Sequence, residues 1–82
     1  MEDFELNFAL VAGLSQAETD HFWDEFIEQA IASQGLVFGG GGEEQISGMV
    51  GSGANDHITV EHRAHVSNWL KNSKKVSVYT IP

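Results

Sequence analysis

The sequence predicts an α+β fold in which two helices cover one face of a four-stranded antiparallel sheet. Three observations predict it: strict apolar–polar alternation near the start, two stretches with helical spacing that each follow a capping residue, and three further short apolar runs. In chain order they give strand, helix, strand, strand, helix, strand. The length of 82 residues fits a single domain, residues 1–82, with one modest core.

The first strand and the first helix have the clearest patterns. Residues Phe4–Val11 alternate, and their larger apolar side chains point to one side: Phe4, Leu6, Phe8 and Leu10. Ser15 stands three residues before Glu18, the spacing of a capping box, and Gly35 supplies the stop. Between them, apolar residues at helical spacing form one stripe: Phe22, Trp23, Phe26, Ile27, Ala30 and Ile31.

The remaining elements follow in order. Leu36–Phe38 and Gln45–Val50 predict a hairpin whose connection is loosened by four glycines. A turn cluster at Gly51–Asp56 precedes a second helix, Thr59–Asn72, in which Thr59 is the cap. The face shared by its apolar residues holds His62, Val66, Trp69 and Leu70. Val76–Ile81 is the last strand, and the whole order is the split βαβ, or ferredoxin-like, plan with strand order 4-1-3-2.

The charge is −8 and is divided along the chain. All twelve acidic residues lie between Glu2 and Glu61 and all four basic ones between Arg63 and Lys75, so residues 1–62 carry −12 and residues 63–82 carry +4. This balance argues against autonomous nucleic-acid binding and against adsorption to anionic membranes. Without cysteine, an apolar run of membrane length or the positive start of a signal peptide, we expect a cytoplasmic protein.

Four consecutive glycines form a candidate ligand loop: Gly39, Gly40, Gly41 and Gly42. A phosphate-binding loop leads into a helix N-terminus, and a P-loop ends in Lys-Ser or Lys-Thr. Here Glu43 and Glu44 follow, and their charges would repel a phosphate; a strand comes next. We therefore favour a structural interpretation, a kinked or bulged hairpin whose backbone packs close to the helices.

A candidate metal group comprises three histidines: His57, His62 and His65. His62 and His65 are three residues apart on the predicted helix, but no HExxH pattern occurs and a third ligand would have to come from tertiary structure. We favour a hydrogen-bonded core or capping role for His62, and assign no metal and no cofactor. No Gly-x-Ser-x-Gly elbow occurs, and we predict no catalytic residue and no enzymatic activity.

Acidic residues at a spacing of four form a ridge on the first helix: Asp20, Asp24 and Glu28, with Glu25 beside it. Acid–base catalysis needs carboxyl groups in contrasting environments, which a solvated ridge does not offer. Like charges at this spacing destabilise a helix by about 0.2–0.5 kcal/mol per pair, and a basic partner would offset that cost. The ridge is thus either a solvated face or a partner-binding surface.

Several motifs, in this order and spacing, resemble the YggL-type family of small bacterial proteins. They are Gly13-Leu14-Ser15, Asp20 with Phe22–Ile27, Gly35–Gly42, and Thr59-x-x-His62 followed by Val66 and Trp69-Leu70. The resemblance covers roughly residues 4–81. It implies a non-catalytic, ribosome-associated protein of the bacterial cytoplasm that binds the large subunit and takes part in its assembly.

Members of that family usually begin with an Arg/Lys-rich segment, where this sequence has Met1-Glu2-Asp3. We therefore expect the ribosomal contact to be a basic protein rather than rRNA phosphate. The alternative function is a small-ligand or metal-binding domain that uses the glycine loop or the histidine group.

Overall fold

The strands form one antiparallel sheet in the computed structural model, which describes residues 3–42 and 44–81. They are β1 (Phe4–Leu10), β2 (Val37–Gly41), β3 (Gln45–Gly51) and β4 (Val76–Thr80). The order across the sheet is β4-β1-β3-β2, and every neighbouring pair is antiparallel. The predicted α+β class and strand order are confirmed.

The helical elements begin and end at the predicted residues. They are α1 (Gln16–Glu25), a π-helix (Phe26–Ile31) and a 3₁₀ turn (Ala32–Gln34) that continue it, and α2 (Val60–Asn72). The Ser15 hydroxyl accepts the Glu18 N–H at 3.1 Å, and the Glu18 carboxylate accepts the Ser15 N–H at 3.0 Å. Gly35 ends the run with a left-handed φ of 70°, as glycine does at a helix C-terminus.

The core lies between the sheet and the helices. All four inward-facing apolar residues of β1 are buried, so the predicted alternation is confirmed. Phe8 at the centre of β1 contacts the rings of Phe22 and Phe26, with centroids 5.8 and 5.4 Å apart. The aromatic rings of the first helix therefore fix its position over the sheet.

The π-helix changes which residues of the predicted apolar stripe are buried. Its hydrogen bonds span five residues instead of four, which widens the turn. Ala30 and Ile31 are both buried as a result, whereas Ile27 is 39% exposed. The prediction that Ile27 faces the core is wrong. Trp23 and Trp69 pack against the core from the two helices and stay partly exposed.

The glycine run belongs to a strand. Gly39, Gly40 and Gly41 all lie in β2 and pair with β3 in regular register, so the prediction that they form a loose or kinked connection is wrong. The close approach is to the neighbouring strand rather than to the helices, because a Cβ on Gly40 would lie 2.4 Å from the carbonyl oxygen of Ser47. Glu43 lies outside the described residues.

The irregularity in the sheet is in β4. Ala9 faces Val78 while its neighbour Leu10 faces Val76, which leaves Ser77 as the extra residue of a β-bulge. The Ser77 hydroxyl donates a hydrogen bond of 3.2 Å to the carbonyl oxygen of Ala9. This bond holds the bulged residue against β1.

The loop before α2 holds the C-terminal end of the first helix. Asn55 Nδ2 donates to the carbonyl oxygen of Gln34 at 2.8 Å, and the Ala54 N–H donates to that of Gly35 at 2.9 Å. These bonds satisfy carbonyl groups that a helix end otherwise leaves free.

Candidate interaction surface

The two helices divide the sheet between them. The first helix lies on the β2 side, because Trp23 and Phe26 contact the ring of Phe38 with centroids 6.0 and 5.4 Å apart. The second helix packs against β4 at the other edge. The two helices therefore lie over opposite edges of the sheet.

Asp20 and Asp24 lie on the β2 side of the first helix. Both are exposed and belong to α1, where residues four apart are neighbours on the helix surface. Asp20 accepts a hydrogen bond of 2.9 Å from the side-chain nitrogen of Gln16. This part of the predicted ridge is present as two solvated carboxylates one turn apart.

Asp20 also lines a groove of about 480 Å³ where the start of α1 meets the end of β2. Trp23 and Leu14 line it from the first helix and the turn before it, and Gly42 and Glu44 from the β2–β3 connection. The groove thus combines the indole ring of Trp23 with the carboxylates of Asp20 and Glu44. This combination is suited to a cationic side chain, which the ring face and the negative charges both attract.

Glu25 lies on the opposite flank of the first helix. Its Oε1 is 3.2 Å from Nε2 of His21, and it lines a second groove together with Trp69, Lys74 and Lys75. The fold therefore places Glu25 near the basic residues that precede β4, and away from the groove that contains Asp20.

Glu28 is exposed in the π-helix. Glu28 follows Asp24 by four residues, which is about one turn in either kind of helix, so it lies one turn beyond Asp24. Of the four predicted partner-binding residues, Asp20, Asp24 and Glu28 follow one another at about one turn each, and Glu25 lies in the groove lined by Trp69, Lys74 and Lys75.

The histidines of the second helix have structural hydrogen bonds. His62 Nδ1 accepts the Thr59 N–H at 3.0 Å, and the Thr59 hydroxyl accepts the His62 N–H at 3.2 Å, which confirms its capping role. His65 Nε2 lies 2.9 Å from the carbonyl oxygen of Gln29; since that oxygen can only accept, Nε2 carries the hydrogen. Within residues 3–42 and 44–81, no group of three or more His, Cys, Asp or Glu side chains could hold a metal ion.

Gln29 joins the two helices, a role that the sequence does not indicate. Its side-chain oxygen accepts the Trp69 Nε1–H at 3.0 Å, while its backbone carbonyl faces His65. No short-range pattern marks the residue, because its partners lie 36 and 40 positions further along the chain.

Two carboxyl groups at helix starts have lowered pKa values. The backbone N–H of Ser15, and then its hydroxyl, hold the pKa of Glu18 below its ordinary value. Hydrogen bonds from its own backbone N–H and from the Thr59 hydroxyl do the same to the pKa of Glu61. Both shifts come from helix capping, and neither carboxyl group lines either of the two grooves.

Comparison with known proteins gives one positive finding. The sequence model of the YggL 50S ribosome-binding protein family matches residues 3–82. The chain belongs to this family. Neither a curated protein nor a solved structure matches it significantly. Among the described residues of this family member, no helix combines the length and the apolar character that a membrane crossing requires.

Proposed function

We propose that the protein binds the large ribosomal subunit as a non-catalytic factor and docks the acidic side of its first helix on a basic ribosomal protein. The family description supports the ribosomal subunit as the target. The observation that carries the docking surface is the spatial division of charge. Asp20 and Glu44 line the groove beside the end of β2, and Asp24 is one turn from Asp20. All four basic residues lie in α2 or between α2 and β4, with the acidic residues Glu25 and Glu61 nearby.

This division favours one orientation on a basic partner. Complementary charges accelerate encounter and set the register of docking more than they add affinity. The attraction falls off over about 8 Å at physiological ionic strength, so moderate salt weakens it. A ribosomal target also implies a cytoplasmic location.

The alternative of a small-ligand or metal-binding domain has less support. Its glycine loop is largely a paired strand, and His62 and His65 both form hydrogen bonds within the fold.

Co-sedimentation with purified 50S subunits at low and moderate salt tests the proposal. We expect the protein to sediment with the subunit at low salt and less at moderate salt. The double variant Asp20→Asn/Asp24→Asn should bind more weakly than the wild type. Glu5→Gln/Asp56→Asn is the matched control, because it removes the same charge from exposed residues outside the first helix. Absence from the 50S fraction at both salt concentrations would overturn the proposal.

A further inference from the structure

The structure points to a specific binding mode: we propose that the free edge of β2 accepts an extended, Arg- or Lys-bearing segment of the partner protein as a fifth strand. The proposal rests on the proposed function for the ribosomal partner. It adds the element that binds and the conformation of the bound segment.

The two edges of the sheet differ in the features that prevent strand addition. The β4 edge has a bulge at Ser77 and follows directly on Lys74 and Lys75. Bulges and lysines are devices by which proteins block pairing at an edge. The β2 edge has none of them: Val37–Gly41 contains no charge and no proline, and it pairs with β3 without a register shift.

Two glycines of β2 have no structural requirement within the fold. A Cβ added at Gly39 or Gly41 would meet nothing within 4 Å, and neither residue has a positive φ. Gly40 is different, because the backbone of Ser47 and Gly48 leaves no room for its Cβ. Glycine weakens a strand interior and often marks a close approach by another backbone. An added strand supplies that approach at Gly39 and Gly41.

The backbone of β2 can provide the hydrogen bonds. In an antiparallel ladder, alternate residues of an edge strand turn their N–H and C=O groups away from the neighbour. These groups bind an added strand through main-chain hydrogen bonds, and adjacent pockets then select its side chains.

Charge decides which chain occupies the edge. A strand that continues past Gly41 reaches Gly42 and the groove lined by Trp23, Asp20 and Glu44, which is suited to a cationic side chain. A second copy of this protein would bring together two chains of −8, and like net charge opposes such pairing. A basic segment of a different protein is the occupant that matches both the edge and the groove.

The first test compares two lysine substitutions that change the net charge equally. Gly39→Lys places a charge on the β2 edge, where a Cβ meets no neighbour, and Val78→Lys does so on β4, where Val78 is 63% exposed. We expect Gly39→Lys to weaken binding to 50S subunits about tenfold or more, and Val78→Lys to bind like the wild type. Equal binding by both variants would overturn strand addition.

The second test begins with hydrogen exchange of the wild-type chain, which does not depend on the folding of a variant, and adds a crosslinking variant within β2. Hydrogen exchange of the free protein and of the 50S complex should show slower exchange of β2 backbone amides on binding, with β4 amides unchanged. A photo-crosslinking residue at Val37, which is 56% exposed, should capture an Arg- or Lys-containing segment of a ribosomal protein.

The outcomes separate the two proposals. If the wild type sediments with the 50S subunit but β2 exchange is unchanged, or Val37 crosslinks to rRNA or to a second copy of this chain, strand addition is overturned and ribosome binding stands. If the wild type does not sediment, the proposed function is overturned, and strand addition by a ribosomal partner with it.

Discussion

Gly39 and Gly40 are neighbours in β2, and the space beside them differs sharply. The Cβ of Gly40→Ala would lie 2.4 Å from the carbonyl oxygen of Ser47, whereas that of Gly39→Ala would meet nothing within 4 Å. We expect Gly40→Ala to lower the free energy of unfolding by about 1–3 kcal/mol, since a backbone must move. Gly39→Ala should raise it by about 0.4–1 kcal/mol, because alanine restricts the unfolded chain.

Urea denaturation followed by tryptophan fluorescence measures both effects, because Trp23 contacts Phe38 in β2. Equal stabilities of the two variants would show that the strands are not as close at Gly40 as described.

Glu18 links the capping of the first helix to pH. Its pKa is lowered in the folded protein by Ser15, so its carboxylate stabilises the fold above its ordinary pKa, and this contribution disappears as the pH falls through the lowered value. Glu18→Gln keeps an acceptor for the Ser15 N–H but cannot titrate. We expect the free energy of unfolding of Glu18→Gln to fall less steeply than that of the wild type from about pH 5 downward.

Urea titrations at a series of pH values measure this difference in slope. Parallel curves for the two proteins would contradict a capping contribution from the charge of Glu18.

At the scale of elements, the contact between the two helices depends on Gln29 and Trp69. Trp69→Phe retains the aromatic packing against Phe22 and Phe26 but loses the hydrogen bond to Gln29. We expect it to lower the free energy of unfolding by about 0.5–1.5 kcal/mol. Thermal and urea unfolding measure the loss.

A double-mutant cycle isolates the hydrogen bond from the change in ring size. Combined with Gln29→Ala, Trp69→Phe should cost less than it does alone, because the partner is already absent. Strict additivity of the two losses would show that the bond contributes nothing.

The sequence predicts the elements whose physical signals are local. Alternation identifies β1, and the Ser15 and Thr59 caps locate both helix starts, because these signals depend on residues within one or two turns. The π-helix and the bulge at Ser77 could not be predicted. Each changes the residue spacing of a helix or strand so that its side chains fit the elements packed against it. Neither contains a residue type that would mark it in the sequence.

The prediction for the glycine strand is wrong for a related reason. Glycine has a low strand propensity, so four in a row indicate a loop. In the fold, pairing with β3 and the close approach at Gly40 override that propensity. The intrinsic preference of glycine determines the conformation of such a segment only where no neighbouring strand is available to pair with it.

At the scale of the whole molecule, the fold decides which charges meet, and the order of charges along the chain does not. The sequence predicts the acidic residues of the first helix, but it could not show that Asp20 would share a groove with Glu44, or that Glu25 would share one with Lys74 and Lys75. Those arrangements depend on which sheet edge each helix covers. The spacing of residues along a helix therefore shows which acidic side chains are exposed, but it does not show which residues of other elements lie beside them.

The difference between the two sheet edges also limits how this protein can polymerise. A filament that grows by strand pairing needs two open edges per subunit, and here the bulged β4 edge offers no template. If two copies did meet through their β2 edges, the combined sheet would end in β4 on both sides, and growth would stop at two. The protein can therefore expose the open β2 edge without forming fibres.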